Sequence, residues 1–172
     1  MRNIFIKELI KESRIDKDLY LITADLGFRS FEVFKQEFPD RFINVGVSEN
    51  NMIGLSAGMA LKGKKVFAYS ILPFLVYRCL EQIRNNICHN NLNVKLIGGG
   101  GGFSYAEQGI SHNTSEDLSI MRSLPNISVF NPGSKIEAEL VIKTLFNMTS
   151  PSFARLGKVP EIEYYKKKPK YK

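Results

Sequence analysis

Cysteine and histidine are scarce in this chain of 172 residues, which has two of each. Cys79 and Cys88 fall nine positions apart in a stretch of helical patterning, where about 100° per residue sets them on opposite faces. Neither a disulfide scaffold nor a metal site of the chain's own is expected. No segment approaches the roughly 20 apolar residues that cross a bilayer. The opening "MRNIFIKELIKE" mixes charges among its apolar positions, so it does not read as a leader, and the expected location is cytoplasmic. Signatures of RNA-binding and helix-turn-helix modules are also missing. The net charge is +7, but residues 161–172 hold five lysines and two glutamates, and the remaining basic residues are scattered. The basic C-terminal tail over 159–172 is expected to be a solvated surface. Neither nucleic acid nor membrane is an expected partner.

What is present is a hydrophobic fraction of 44%, enough at this length for one core and a single domain. Apolar bursts alternate with helical patterns. "NIFIKELIKESR" has apolar residues near a helical period, and "DLYLITAD" has the aromatic and β-branched content of a strand. A short helix "SFEVFKQEF" ends before Pro39, "RFINVG" reads as a strand, and 48–62 as a helix with Ser48 as N-cap. Strand "KKVFAYS", a helix over 73–90, strand "NVKLIGG", a glycine loop, a helix over 115–122, strand "ISVFNP", a helix over 134–148 and strand "PSFARLG" complete the chain. Regular alternation of this kind predicts an α/β fold, a three-layer α/β/α arrangement with a mainly parallel sheet.

In such folds ligands gather at the carboxyl ends of the strands. Those ends fall at 25–27, 46–49, 70–74, 98–112, 131–133 and 157–158. Glu49 follows Val45 and Val47 and opens "ENNMIGLSAGMAL", in line with Ile53 and Ser56. An acid in a first helical turn complements the helix dipole. An acid at the edge of an apolar face also holds its proton more readily and can share it with a heterocyclic nitrogen. The run "GGGGGF" at 98–103 lacks the Lys-Ser or Lys-Thr ending of a phosphate loop and a ribose-binding acid, so it reads as a loop that lets backbone approach a ligand closely. His112 shares the rim with that loop, where it is either an ordinary surface residue or a group for proton transfer and substrate binding. His89 suits the carboxyl end of its helix.

Taken in order, "ITADLG", "RFINVGVSENNMIGLSAGMAL", "EQIRNNI", "EQGISHNTSEDLSIMRSLPNISVFNP" and "PSFARLGK" resemble the pyrimidine-binding domain of the transketolase family of thiamine diphosphate enzymes. The likeness covers residues 1–158. It implies that Glu49 bonds the cofactor's pyrimidine ring, promoting the imino tautomer that activates the thiazolium. It also implies that His112 contacts the donor substrate and that Asp25 is an acid near the cofactor at a subunit interface. Asn50 stands where a histidine is common. Gln108 replaces an acid that recognises a sugar hydroxyl, Gly100 a phosphate-binding histidine, and Lys158 lies near an arginine that binds the same phosphate. Alignment on "EQIR" puts Leu72 and Leu75 where the family lines its pocket with phenylalanine, with Phe74 and Tyr77 close by.

The family's diphosphate and metal sit in a domain marked by "GDG", which is absent from this sequence. The resemblance therefore implies one subunit of a split enzyme. Thiamine diphosphate would be shared with a diphosphate-binding subunit that holds Mg (or Ca), two copies of each chain forming the assembly. The expected activity is two-carbon transfer between carbonyl substrates, sugars among them. The alternatives are a 2-oxo acid donor on the same cofactor, and a non-catalytic interaction module that keeps the fold.

Overall fold

The computed structural model describes residues 1–27 and 30–157. Lys158 and the basic tail lie outside the described residues. Six strands, β1 (Leu19–Thr23), β2 (Phe42–Asn44), β3 (Lys65–Ile71), β4 (Val94–Gly99), β5 (Ser128–Phe130) and β6 (Ser152–Leu156), form one sheet in the order β2-β1-β3-β4-β6-β5. Every pairing is parallel, so the sheet expected to be mainly parallel is wholly parallel among the described residues.

A parallel sheet buries both faces, and strand parity divides the core in two. On one face Leu19, Leu21, Phe67, Tyr69 and Ile97 meet Phe5 and Leu9 of α1 (Arg2–Ile15), Phe34 of α2 (Glu32–Glu37) and Ile142 and Leu145 of α7 (Lys135–Asn147). On the other, Ile22, Val66, Ala68 and Leu96 meet Met52 and Ile53 of α3 (Glu49–Leu61) and Met121 of α6 (Asp117–Arg122). These are the three layers. No helix among the described residues is long and apolar enough to cross a membrane.

One element departs from expectation. The helix expected over 73–90 is three pieces: α4 (Leu72–Val76), α5 (Leu80–Gln82) and a π-helical turn over Ile83–Cys88. The Phe74 carbonyl, which a continuous helix would offer to the Arg78 N–H, accepts from the Cys79 thiol at 3.3 Å. The break rotates the downstream segment, so Cys79 and Cys88 point into the same core cluster instead of opposite faces. Both are free thiols. Burial pushes Cys79 up to about 12 and Cys88 up to about 11.

Lys95 in β4 is fully buried, and its ammonium donates to the Ser150 carbonyl at 2.6 Å. Burial, aided by Lys65, pushes it down to about 7 from 10.5. Between those two values the unfolded chain binds more protons than the folded one, so this group makes stability rise with pH across the window and fall as pH drops towards 7. Lys95→Met should abolish that contribution. In urea unfolding from pH 7 to pH 10, wild type is expected to gain roughly 1 kcal/mol per pH unit relative to the variant; parallel curves would show that the lysine stays charged inside the fold.

Candidate functional site

The carboxyl ends of the strands meet at one rim. At the end of β1 the Thr23 hydroxyl donates to the Leu26 carbonyl at 3.0 Å, and Asp25 adopts a left-handed backbone with φ 52°. Asn44, closing β2, serves two turns at once: its Oδ1 accepts the Asp25 N–H at 2.8 Å and the Gly46 N–H at 3.0 Å. The turn through Gly46 leaves Val47 exposed and delivers the chain to α3. Ser48 occupies the N-cap position, but its side chain makes no capping bond.

The buried positions of α3 are Glu49, Met52, Ile53, Ser56 and Ala57, a single stripe at helical spacing. Glu49 heads that stripe and is 2% exposed. A carboxylate withdrawn from water this far needs a partner. The partner is Arg78, in the break between α4 and α5, whose Nη1 donates to Glu49 Oε2 at 2.6 Å. The guanidinium lies over the Phe74 ring, 4.5 Å from its centroid. Phe74 in turn meets His112 edge-on at 5.0 Å, and Tyr105 reaches the same imidazole at 6.3 Å. His112 Nδ1 is 2.9 Å from the Ser111 hydroxyl. Glu49, Arg78, Phe74 and His112 thus form one contact series across the rim.

The structure does not bring every candidate residue into that series. Leu72 and Leu75 are fully buried in the core beneath it. Leu72 packs so closely on β4 that a Cβ added at Gly98 would come within 2.3 Å of it, which leaves half-buried Phe74 and exposed Tyr77 as the aromatics at the surface of this segment. Tyr77 points elsewhere, its hydroxyl donating to Glu116 Oε2 at 2.6 Å. Desolvation first, then Glu116, pushes Tyr77 up to about 12. It borders a separate groove of about 560 Å³ with Phe103, Ile110, Thr114 and Glu116. Gln108 is exposed in a 3-10 turn over Ala106–Gln108, and Asp25 remains beside Asn44. Lys158 lies outside the described residues.

Arg78, Asn44 and Tyr105 are the residues that sequence reasoning missed. Arg78 had a signal. It is the sole charge in "ILPFLVYRCL", residues 71–80, and a lone cation in such a run calls for an acid.

The glycine loop is held from below. Gly100 takes a left-handed φ of 69°, and a Cβ at Gly101 would lie 1.8 Å from Arg155 Nε, which explains the absence of side chains there. Arg155 Nη1 faces Asp117 Oδ1 at 3.4 Å, with Asp117 fully buried. Burial pushes the Asp117 carboxyl up and Arg155 offsets part of that rise. A bridge between Gly102 and Thr114 pinches the loop, so residues 103–113 leave the domain as one excursion carrying Gln108 and His112.

A sheet wholly parallel among the described residues, with an acid at the α3 entry and a glycine loop after β4, defines an α/β domain whose strand ends meet at one rim. The chain belongs to the transketolase pyrimidine-binding domain family, whose model matches residues 1–159. It is 37% identical over 165 residues to a subunit of the apulose-4-phosphate transketolase of Actinobacillus succinogenes, covering 94% of this chain and 53% of that protein. It is 39% identical over 157 residues to a putative transketolase C-terminal section of Methanocaldococcus jannaschii, covering 91% and 50%. The chain spans about half the length of these relatives. Among solved structures, one described as a split gene transketolase, inactive beta4 tetramer, superposes with a TM-score of 0.86 at 31% identity, covering 99% of this chain and 55% of that one.

The Asp117 and Arg155 pair should be the anchor of the loop. Arg155→Ala leaves the fully buried Asp117 carboxylate without its cation and is expected to cost about 3 kcal/mol or more in urea unfolding; a loss below about 0.5 kcal/mol, within the range of surface substitutions, would show that the glycines hold themselves.

Proposed function

We propose that this chain supplies the pyrimidine side of a thiamine diphosphate-dependent, transketolase-like transferase that moves a two-carbon unit between carbonyl substrates, sugars foremost. The observation that carries this reading is Glu49: a nearly water-free carboxylate at a helix start, in a contact series that ends on His112. The residues suit a flat heterocycle with a basic nitrogen. A buried carboxyl group stands where it would hydrogen-bond that nitrogen, and the Phe74 ring offers an aromatic surface near it. Bound thiamine diphosphate supplies the electron sink that lets a bond next to a carbonyl break.

The work of the chain's own residues follows from their placing. Glu49 would hold the ring nitrogen through a hydrogen bond, strengthened by the low dielectric around it. Leu72 and Leu75 form the apolar floor under Phe74, and Asp25 stands at the neighbouring strand end. His112 carries a proton to or from a substrate oxygen at the rim. Gln108 recognises the substrate by neutral hydrogen bonds, and the resemblance assigns a phosphate contact to Lys158. Tyr77, bound to Glu116, is assigned to the wall of the neighbouring groove instead of the ring site.

Among the described residues no group of three or more His, Cys, Asp or Glu stands close enough to hold a metal ion. The family resemblance assigns the diphosphate and its Mg (or Ca) to a partner chain, in a heterotetramer with two copies of each. The names of the relatives, one a transketolase subunit and another a transketolase C-terminal section, support a divided enzyme. Exposed Val47, Phe103 and Ile110 give a partner apolar surface to cover. A cytoplasmic setting suits the two buried free thiols.

The chain co-purified with its diphosphate-binding partner, given thiamine diphosphate and Mg²⁺, is the material to test. Glu49→Gln should lower turnover of ketose donors about 10²–10⁴-fold with assembly intact. Equal activity in the variant would remove Glu49 from the mechanism, and consumption of 2-oxo acids in place of ketoses would move the donor class.

A further inference from the structure

Arg78 has no part in the chemistry assigned above, yet it holds the group on which that chemistry depends. Among the described residues the Glu49 side chain has no other hydrogen-bond partner, and the two ends of the pair differ sharply in access. The arginine side chain is 44% exposed and the glutamate 2%. Arg78 also sits in the break between α4 and α5, where its backbone belongs to neither helix. It reaches in from solvent to a fixed acid.

We propose that Arg78 is a displaceable stand-in for the aminopyrimidine, occupying Glu49 until the cofactor arrives and competing with it for that carboxylate. The inference rests on the cofactor reading under Proposed function. Three features carry it. The guanidinium is planar, it presents N–H donors to a carboxylate, and it stacks on an aromatic face, here Phe74 at 4.5 Å. An aminopyrimidine shares all three. Arginine has donors and no acceptor, so while Nη1 bonds to Oε2 at 2.6 Å Glu49 serves as an acceptor. Giving a proton to a ring nitrogen is the opposite role. Glu49 must leave Arg78 and take up a proton from solvent before it can act.

The exchange has a structural logic on both sides. Without the arginine, the free chain would hold a buried and unpaired carboxylate, which is strongly destabilising. With it, only the fraction of molecules in which Arg78 has swung away is competent, and apparent cofactor affinity falls by that fraction. Rotation of one half-exposed side chain is sufficient to empty the position.

The test is equilibrium binding of thiamine diphosphate, by calorimetry, to the chain assembled with its diphosphate-binding partner, alongside thermal melts of the free chain. Arg78→Ala should tighten cofactor binding about tenfold while lowering the melting temperature of the free chain. Arg78→Lys, which keeps a cationic donor but neither the plane nor the stack on Phe74, should fall between wild type and Arg78→Ala in both measurements. If the alanine variant fails to assemble, Arg78→Gln keeps a polar contact and is expected to shift affinity in the same direction. Weaker or unchanged binding in Arg78→Ala, with wild type binding normally, would overturn the proposal, weaker binding showing that Arg78 is a direct cofactor contact. An assembled wild-type complex that takes up no thiamine diphosphate at all would instead sink the cofactor reading, and this inference with it.

Discussion

The constraint on which the site depends is the burial of one carboxylate. Glu49 heads the inward stripe of α3, so the packing that secures the helix against the sheet also takes its acid out of water. A buried charge must be compensated. The compensation dictates the shape of the neighbouring segment: the chain after β3 forms a helix of five residues, opens at Tyr77–Cys79, and resumes as α5. The opening frees Arg78 to turn towards Glu49, and the Cys79 thiol takes the carbonyl that helix continuation would have used. The interruption of the helix thus brings a cation to the buried acid.

Much of the fold is legible in the sequence because alternation of strand and helix patterns leaves few solutions, and apolar runs on both strand parities require a sheet covered on both faces. Glu49 is legible for a related reason: an acid between Val45, Val47 and an apolar helix is a local contradiction, and contradictions concentrate at functional places. The break at Tyr77–Cys79 is not legible. "LPFLVYRCLEQIRNNICHNN" has helical spacing throughout, and the reason to interrupt it lies on another element, 29 positions earlier at Glu49. The division of labour among Leu72, Phe74, Leu75 and Tyr77 is hidden for the same cause. Periodicity ranks them alike, and only the approach of Leu72 to Gly98 and of Tyr77 to Glu116 sends them to different places.

The two halves of the rim are built from different elements. Glu49, Arg78 and Phe74 stand on α3 and on the segment after β3, seated directly on the core. Gln108 and His112 ride the excursion after β4, joined to the domain through the bridge between Gly102 and Thr114 and through Arg155 under Gly101. Glu49 and Phe74 are carried on helices packed on the core, and the excursion is held by two attachments at its base. From the excursion, His112 meets Phe74 of the core-mounted group.

That separation bears on how specificity and cofactor use vary independently. A substitution at Gln108 changes an exposed polar side chain on the excursion and leaves the Glu49 environment untouched, because no core contact passes through it. A change at Phe74 cannot be so confined. Its ring contacts both the Arg78 guanidinium and His112, so it couples the acid to the excursion. Residues joined through one shared partner respond non-additively, which makes Phe74 the position where the two halves of the site are one physical unit. A family that keeps its cofactor while trading substrates would alter the excursion freely and hold this ring, or an aromatic in its place, against both neighbours.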